Sequence, residues 1–277
     1  MTEPEWRRLN RANWDERVPL HVGSTLHYDE SDLRAGRRRL DAIVTDMLGP
    51  VAGLRVLHLQ CHFGMDTLTL AQQGASVTGV DFSAPAVDAA RRLAQEVGLA
   101  DRARFVLSDV YEAPAALRGE RFDRVFASWG ALCWLPDIRA WAQVVAQFLQ
   151  PGGWLALADA HPTAYVFDSR TATADGRPGW WVPYLGREAA IEESAEDYAD
   201  PAATLRNTRT HQWLHPLGDI VTALLEAGLT LARLQEHDAV PWLLFNCLQR
   251  SADTLYRWPD QPWLPLSFSL RAVKPGA

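Results

Sequence analysis

Residues Val56 to Ser83 read VLHLQCHFGMDTLTLAQQGASVTGVDFS and carry the clearest indication of fold in this 277-residue chain. It opens with an apolar run that ends in a turn at Gly64, continues as a helical pattern over 65–73, and closes with a β-rich run that ends at Asp81. Strand, helix and strand within about thirty residues are typical of a βαβ unit. The two strands are therefore expected to be parallel and joined by a right-handed crossover.

The same alternation extends outward to about residue 160. Five strands are predicted there, over 54–60, 75–81, 103–109, 122–128 and 153–159. Helical patterns lie between them over 65–73, 84–97 and 138–149. Strands that alternate with helices in this way predict a parallel sheet with helices on both faces. Two further strands, at about 229–236 and 266–273, would complete the sheet.

Composition limits the classes of partner. A formal net charge of −7 argues against nucleic acid, because Lys and Arg dominate affinity for phosphates. No apolar run reaches the eighteen or so residues of a membrane span, and the first ten residues do not resemble a signal peptide, so a cytoplasmic protein without a membrane partner is expected. The three cysteines are far apart in sequence and predict neither a disulfide framework nor a CxxC metal or redox site. The oligomeric state is not readable from the sequence.

Four predicted strand ends carry groups that suit a ligand. In open parallel sheets, ligands bind beyond the carboxyl ends of strands, near the point where strand order reverses. At the first end, Gly64 allows close approach of the backbone, and the helix start offers free N–H donors to an anion. Asp81 follows Gly64 by 17 residues, near the spacing at which an acidic residue reaches the ribose hydroxyls in dinucleotide folds. Phe82 is placed to cover one face of an adenine.

The third and fourth ends add to this pattern. The carboxylate of Asp109 can accept from an exocyclic adenine amine while the N–H of Val110 donates to a ring nitrogen. Ser128 and Trp129 place a small polar group beside a flat one.

A strand that ends in Asp is common and often only caps the next helix. Ser83, for example, is able to cap the helix that Pro85 helps to start. The capping role therefore stays open beside the ligand role for Asp81 and Asp109, and the order and spacing of all four ends matter more than any one of them.

These segments, together with FVLSDV (105–110), FDRVFASWG (122–130) and LQPGGWLAL (149–157), resemble the successive motifs of class I S-adenosylmethionine-dependent methyltransferases. The resemblance covers about residues 54–160. It implies an α/β fold with a Rossmann-like, doubly wound, mostly parallel seven-stranded sheet and helices on both faces. It also implies S-adenosylmethionine as cofactor and transfer of its methyl group to an O, N or C atom of a small-molecule acceptor.

The resemblance implies roles for individual residues. The first loop would hold the methionine part of the cofactor, the acidic residue after strand two the ribose, and the acidic residue after strand three the adenine. The segment after strand four would lie beside the cofactor. The cofactor contacts expected on this basis are His58, Gln60, Cys61, Gly64, Asp81, Phe82, Ser83, Asp109, Val110, Ser128 and Trp129.

The first loop departs from the family pattern. Members usually carry an acidic residue and two further glycines where this chain has His58, Gln60 and His62, so only Gly64 remains. A cofactor without a pyrophosphate tolerates this change, whereas a nicotinamide cofactor normally needs those glycines. No metal is expected at the His58, Cys61 and His62 group, because alternate residues of a strand end face opposite ways and no second cluster completes a shell.

On the substrate side, His161 follows the fifth strand by two residues and is expected to act as a base or to orient the substrate. An imidazole that fixes the turn before Pro162 is an equal alternative. Tyr28 and Trp129 are further candidates for contact with the substrate, and a surface role is the alternative for Tyr28. Aromatic residues such as Trp129, Trp180 and Trp181 favour a small molecule as the acceptor.

One domain with four parts is expected, since 48 % hydrophobic content in 277 residues can bury one full core. Residues 1–48 are predicted to form a helical lid, with helices at 4–17 and 32–48. Residues 49–160 would be the cofactor-binding core and 161–214 an irregular insertion on the substrate side. Residues 215–277 would contribute a helix at 216–228 and the strands that complete the sheet.

Two other functions stay open. A protein that binds S-adenosylmethionine without catalysis would use the same cofactor residues. A nicotinamide-dependent oxidoreductase would share the acidic ribose contact, although the poor loop and the lack of a Tyr-x-x-x-Lys pair disfavour it.

Overall fold

The computed structural model describes residues 3–168, 174 and 178–276. Its α-helices are α1 (Glu5–His21), α2 (Ser31–Arg34), α3 (Ala42–Leu48), α4 (Met65–Gln72), α5 (Ala84–Glu96), α6 (Ala113–Ala116), α7 (Ile138–Phe148) and α8 (Leu217–Glu226). Its strands are β1 (Arg55–Leu59), β2 (Ser76–Asp81), β3 (Ala103–Leu107), β4 (Phe122–Ser128), β5 (Leu149–Ala160), β6 (Phe167–Asp168), β7 (Gly179–Trp180), β8 (Ala190–Glu193), β9 (Arg209–Gln212), β10 (Thr230–His237), β11 (Ala239–Val240), β12 (Gln249–Arg250), β13 (Tyr256–Arg257) and β14 (Ser267–Val273). Short 3-10 helices span Leu132–Trp134 and Ala164–Val166.

The main sheet has seven strands in the order β10-β14-β5-β4-β1-β2-β3. Strands β1 to β5 are parallel, and β14 runs antiparallel to both β5 and β10. The prediction of a mostly parallel seven-stranded α/β sheet is confirmed. Strand order reverses between β1 and β4, so the loops that follow these two strands lie side by side at the carboxyl edge, where ligands bind in this kind of sheet.

The sheet is buried on both faces, which explains its near-continuous apolar strands. Val56 faces a core that includes Met47, Leu68 and Val87 of α3, α4 and α5. Its neighbour Leu57 faces the other core, which includes the fully buried Trp141 of α7 and parts of α6 and α8. Helices therefore cover both faces, because successive strand residues point to opposite sides.

Local capping fixes several helix starts. The Ser83 hydroxyl accepts from the Ala86 N–H at the start of α5, with Pro85 in the first turn, and the Asp137 carboxylate does the same for α7. Asp41 caps α3 by accepting from the N–H of Val44.

The predicted helix at 32–48 is wrong. It is two helices, α2 and α3, separated by residues 35–41. Gly36 has a φ of +73°, and the N–H groups of Arg37 and Arg38 turn back to the carbonyl of Asp32, so the helix cannot continue. The apolar spacing continues across this break, which is why the pattern alone gave a single helix.

The first helix runs four residues beyond the predicted end at 17, to His21, with Pro19 inside its last turn. Contacts with the rest of the chain hold it there. Asn10 and Asn13 bond the backbone of residues 211 and 207, next to or within β9, so α1 lies against the β8–β9 hairpin.

The predicted insertion at 161–214 contains two short antiparallel pairs, β6 with β7 and β8 with β9. Its residues 169–173 and 175–177 lie outside the described residues, as do 1, 2 and 277 of the terminal parts. Within the described part of the chain, none of the helices has the length and apolar character of a membrane-spanning segment.

Candidate functional site

The loop between β1 and α4 has an unusual backbone. Gln60, His62 and Gly64 all have a positive φ, of +56°, +52° and +83°. A left-handed conformation costs a residue with a Cβ about 1–2 kcal/mol, so two of these three positions are strained. At Gly64 an added Cβ would lie 2.6 Å from a ring carbon of Phe105, so sterics demand glycine there. The loop therefore keeps the glycine that packing requires and carries side chains at the other two left-handed positions.

Asp81 ties this loop to the end of β2. One carboxylate oxygen accepts from the N–H of His62 at 2.8 Å, and the other accepts from the N–H of Ser83 at 3.0 Å. Burial raises the pKa of Asp81 to about 6, although these N–H donors oppose the shift. Ser83 also donates to Asp15 of α1 at 2.6 Å, so it combines helix capping with a contact to α1. Phe82 between them is half-buried.

Asp109, beyond β3, lies at the same edge and is met by α1. It accepts from the N–H of Tyr111 at 2.8 Å, and the guanidinium Nε of Arg7 is 3.1 Å away. Burial raises the pKa of Asp109, while the Tyr111 N–H and Arg7 oppose that shift. Val110 is buried next to it. The contribution of Arg7 was not predicted, because nothing in its local sequence indicates a partner a hundred residues away.

Two side-chain hydrogen bonds hold the loop after β4, one to Asp41 and one from Gln60. Ser128 is the half-buried last residue of β4, and Trp129 has a φ of +46° with its indole N–H donating to Asp41 at 2.9 Å. The Gln60 amide donates to the carbonyl of Ala131 at 2.7 Å, which joins the loops after β1 and β4.

Asp159 is a further residue of this site that the sequence analysis missed. It is buried near the end of β5, and its carboxylate accepts the N–H groups of Gly130, Ala131, Leu132 and Ala160. The available signal was the same one used for Asp81 and Asp109, an Asp at the end of a predicted strand. It holds the loop after β4 in shape.

His58 and Cys61 lie in the core. His58 Nδ1 is 2.8 Å from the hydroxyl of Thr67, and its ring packs on Phe126, with 4.5 Å between ring centroids. Burial lowers the pKa of His58 to about 4. The sulfur of Cys61 lies under Gly79, where an added Cβ would be only 2.7 Å away. These positions favour a structural role for both side chains.

His161 is engaged with its own neighbourhood. Its Nδ1 is 2.7 Å from the Thr163 hydroxyl, and its Nε2 is 2.9 Å from a carboxylate oxygen of Glu236 on β10. Both ring nitrogens thus face protein groups, which favours the alternative that this imidazole fixes the turn after β5.

Tyr28 lies over the loop after β1. Its ring stacks on His21 at 4.9 Å and meets Phe63 edge-on at 5.2 Å, while its hydroxyl is 2.5 Å from that of Tyr198. An aromatic cluster covers the loop here, formed by Trp14, His21, Tyr28, His62, Phe63 and Tyr198. Of the predicted site residues, His58, Cys61 and Val110 have side chains buried in the core, the Ser83 hydroxyl meets Asp15, and the His161 ring faces Thr163 and Glu236.

Among the residues described, no group of three or more His, Cys, Asp or Glu is arranged to hold a metal ion. Residues 56–153 match a family model described as a methyltransferase domain. The chain carries a methyltransferase domain. The matched segment runs from β1 to the beginning of β5, so this methyltransferase domain includes the loops after β1, β2, β3 and β4.

Curated relatives align with the same half of the chain. "Methyltransferase GfsG" of Streptomyces halstedii is 33% identical over 143 residues, which are 51% of this chain and 50% of the relative. "Ubiquinone biosynthesis O-methyltransferase" of Psychrobacter cryohalolentis is 31% identical over 144 residues, 51% of this chain and 55% of the relative. The chain thus spans about half the length of the curated relatives it matches.

A solved structure extends the likeness of fold beyond the methyltransferase domain. The glycopeptide N-methyltransferase MtfA in complex with S-adenosylmethionine superposes with a TM-score of 0.53 at 19% identity, over 85% of this chain and 88% of that chain. At this identity the likeness concerns the fold alone.

Proposed function

We propose that this protein is a methyltransferase that moves the methyl group of S-adenosylmethionine to a small-molecule acceptor. The observation that carries the proposal is the order of groups along one sheet edge. The loop at 60–64, the Asp81 carboxylate and the Asp109 carboxylate follow β1, β2 and β3, which are adjacent strands. Methionine, ribose and adenine follow one another in S-adenosylmethionine in the same order.

The acceptor groups of these residues fit the cofactor. The carboxylate of Asp81 accepts backbone N–H groups, among them those of His62 and Ser83, and because a carboxylate has about four acceptor positions it can still accept from a ribose hydroxyl. No described residue accepts the N–H of Val110, which is free to donate to an adenine ring nitrogen. The half-buried ring of Phe82 is available for an adenine face.

Gln60 supplies the most specific sign of a missing partner. Its side-chain oxygen is buried and has no hydrogen-bond partner among the described residues, while its amide nitrogen donates to Ala131. An unsatisfied buried acceptor costs about 1–3 kcal/mol. The ammonium group of the methionine part of S-adenosylmethionine would satisfy it.

When bound, S-adenosylmethionine supplies the methyl group as part of a sulfonium. The protein then has to align the acceptor and exclude water. We assign exclusion of water to residues 1–48 as a lid, with α1 held over the edge by Asn10, Asn13 and Arg17, and to the insertion at 161–214. Trp129 and Tyr28 are proposed to contact the acceptor. We also propose a cytoplasmic location and no nucleic-acid partner, and the net charge of −7 agrees with the second of these.

Calorimetric titration tests the cofactor assignment directly. S-adenosylmethionine and its demethylated product should bind with micromolar affinity or better, and NAD should not bind. Asp81→Ala should weaken this binding strongly. Asp88→Ala, which removes an exposed carboxylate paired with Arg91 on α5, should leave the affinity unchanged. No binding by the wild type, or no loss in Asp81→Ala, would refute the cofactor assignment.

Screening of metabolite mixtures by mass spectrometry then tests methyl transfer. A product heavier by one methylene group, formed only with S-adenosylmethionine present, is expected. Cofactor binding without any such product would support the non-catalytic alternative.

A further inference from the structure

Three side chains from distant parts of the chain form one hydrogen-bonded line over the loop after β1. His62 Nε2 is 3.2 Å from Nδ1 of His21, and Nε2 of His21 is 3.0 Å from a carboxylate oxygen of Asp197. His62 belongs to the loop, His21 to the last turn of α1, and Asp197 to the insertion between β8 and β9. His21 and Asp197 are fully buried.

The direction of the hydrogen bonds follows from the Asp197 end. Its carboxylate accepts from Arg17 and from the N–H groups of Ala199 and Asp200. Burial raises the pKa of Asp197, but His21, the N–H of Ala199 and the Arg17 guanidinium together hold it below its usual value. An ionised carboxylate only accepts, so His21 carries its proton on Nε2.

The same logic passes along the line. With its proton on Nε2, His21 presents a lone pair on Nδ1, and His62 donates its own Nε2 proton there. His62 is then left with a lone pair on Nδ1, to which no described residue donates.

The strained backbone at His62 favours a functional role for its imidazole. Its φ of +52° is in the left-handed region that favours glycine. Its ring is held edge-on by Trp14 at 5.4 Å and Phe63 at 4.7 Å, and the residue as a whole is half-buried. Its backbone N–H donates to Asp81, the carboxylate assigned above to the ribose. Strain that surrounding contacts maintain is typical of functional positions.

Resting on the methyltransferase function proposed above, we propose that His62 takes the proton of a hydroxyl acceptor, with His21 and Asp197 as positioning residues that share the resulting charge. The acceptor oxygen forms a bond to the methyl carbon as the carbon–sulfur bond breaks and its electron pair goes to sulfur. The hydroxyl proton goes to His62 Nδ1, and the Nε2 proton of His62 moves to His21 Nδ1, beside the Asp197 carboxylate. One proton is gained by the histidine pair for each methyl group transferred.

Together His62, His21 and Asp197 form what we call the proton relay. This relay narrows the acceptor class to alcohols and phenols. A hydroxyl is a weak nucleophile until its proton leaves, so a base that removes it accelerates the reaction. A neutral amine attacks with its own lone pair and has less need of a relay.

The groups around the two imidazoles keep both rings neutral before an acceptor binds. His62 faces His21 from α1 and Tyr28 from the loop after α1, and its backbone contacts Asp81. Burial and then His21 lower the pKa of His62. Burial lowers the pKa of His21, Asp197 opposes that shift, and Arg17 and His27 add to it. Both imidazoles are therefore neutral at neutral pH.

Nitrogen-15 spectra of histidine-labelled full-length protein test the relay without an acceptor. The wild type should show His62 protonated on Nε2 and bare on Nδ1, and His21 likewise. In Asp197→Asn the new amide would donate to His21 Nε2, so both tautomers should reverse, as replacing the carboxylate of a catalytic triad gives the wrong tautomer. His27→Asn removes an exposed neighbouring histidine and should leave both tautomers as in the wild type. A wild-type His62 protonated on Nδ1 would overturn the relay.

His62→Gly tests the base itself, since glycine suits the left-handed backbone and the variant should fold. It should bind the demethylated cofactor as the wild type does, yet transfer methyl groups to a panel of phenols and alcohols roughly 10²- to 10⁴-fold more slowly. Added imidazole should restore part of the rate. Thr254→Gly, at an exposed residue with a φ of +70°, controls for relief of backbone strain alone.

The two proposals fail in different ways. Lack of cofactor binding by the wild type would refute the methyltransferase function. Two results would overturn the relay and leave the methyltransferase function standing. In the first, His62→Gly binds the cofactor normally and transfers methyl groups as fast as the wild type. In the second, the wild type binds the cofactor normally and methylates only amines. If the wild type methylates no member of the panel, the nitrogen-15 spectra of His62 and His21 still test the relay.

Discussion

Asp81→Asn should change how stability depends on pH. Burial raises the pKa of Asp81 to about 6 in the folded protein, against 3.8 for the ordinary side chain. Between these two values the folded state holds a proton that the unfolded state has lost, so stability falls as pH rises through this window and is constant above it. Each pH unit between the two pKa values corresponds to about 1.4 kcal/mol, so the carboxyl costs the wild type about 2–3 kcal/mol between pH 4 and pH 7.

Asparagine has no proton to lose, so the variant should lack this slope. Its amide would face the N–H of His62 in place of an acceptor, which costs about 1–3 kcal/mol at every pH. The test is therefore the change with pH in the difference between wild type and variant, measured by urea unfolding at several pH values. Glu226→Gln, which removes an exposed carboxylate paired with Arg139, serves as control and should show no such change.

The same group should control cofactor affinity in the opposite sense. At pH 5 only about a tenth of Asp81 would be ionised, so the demethylated cofactor should bind about tenfold more weakly than at pH 8. Asp81→Asn should bind weakly at both pH values. If wild type and variant lose stability in parallel as pH rises from 4 to 7, the reasoning about this carboxyl is refuted.

Three further predictions concern stability. Asp159→Asn should lower the free energy of unfolding by about 2–4 kcal/mol, because an amide cannot accept all four backbone N–H groups. Urea titrations measure this loss, and a loss below about 1 kcal/mol would contradict the prediction. Burial lowers the pKa of His58 to about 4 in the folded protein, against 6.5 for the ordinary side chain, so the wild type should lose about 3 kcal/mol of unfolding free energy as pH falls from 6.5 to 4. His58→Gln should lack this loss when both proteins are unfolded in urea at pH 7 and pH 4.5. Gly79→Ala should cost roughly 1–3 kcal/mol by calorimetry because its Cβ would lie 2.7 Å from the sulfur of Cys61, whereas Gly218→Ala, which meets open space, should be nearly neutral.

Secondary structure of the core was predictable because its signals are local. The apolar run of β1, the turn at Gly64 and the helical pattern of α4 each depend on a few consecutive residues, and their order implies right-handed crossovers. The candidate ligand groups at Asp81 and Asp109 followed from the same reasoning, since parallel strands bring their carboxyl ends to one edge.

The apolar spacing did not predict helix boundaries correctly where local hydrogen bonds ended a helix although the spacing continued. Residues 32–48 kept a helical spacing, yet Gly36 and the return of two N–H groups to Asp32 split the helix. Conversely, α1 continued past Pro19 because His21 is held by Asp197 and His62.

Strand periodicity and the residues next to strand ends were enough to predict the α/β sheet and the edge, with Asp81 and Asp109, at which we propose that the cofactor binds. The contacts that shape the VLHLQCHFG loop became visible only in the folded chain. The tertiary structure showed that Gly64 is required by Phe105, that Gln60 has a buried oxygen without a partner, and that His62 meets His21 and Asp197. These contacts join residues 41 to 176 positions apart, and no local pattern records which distant side chains the packing of the chain will bring together.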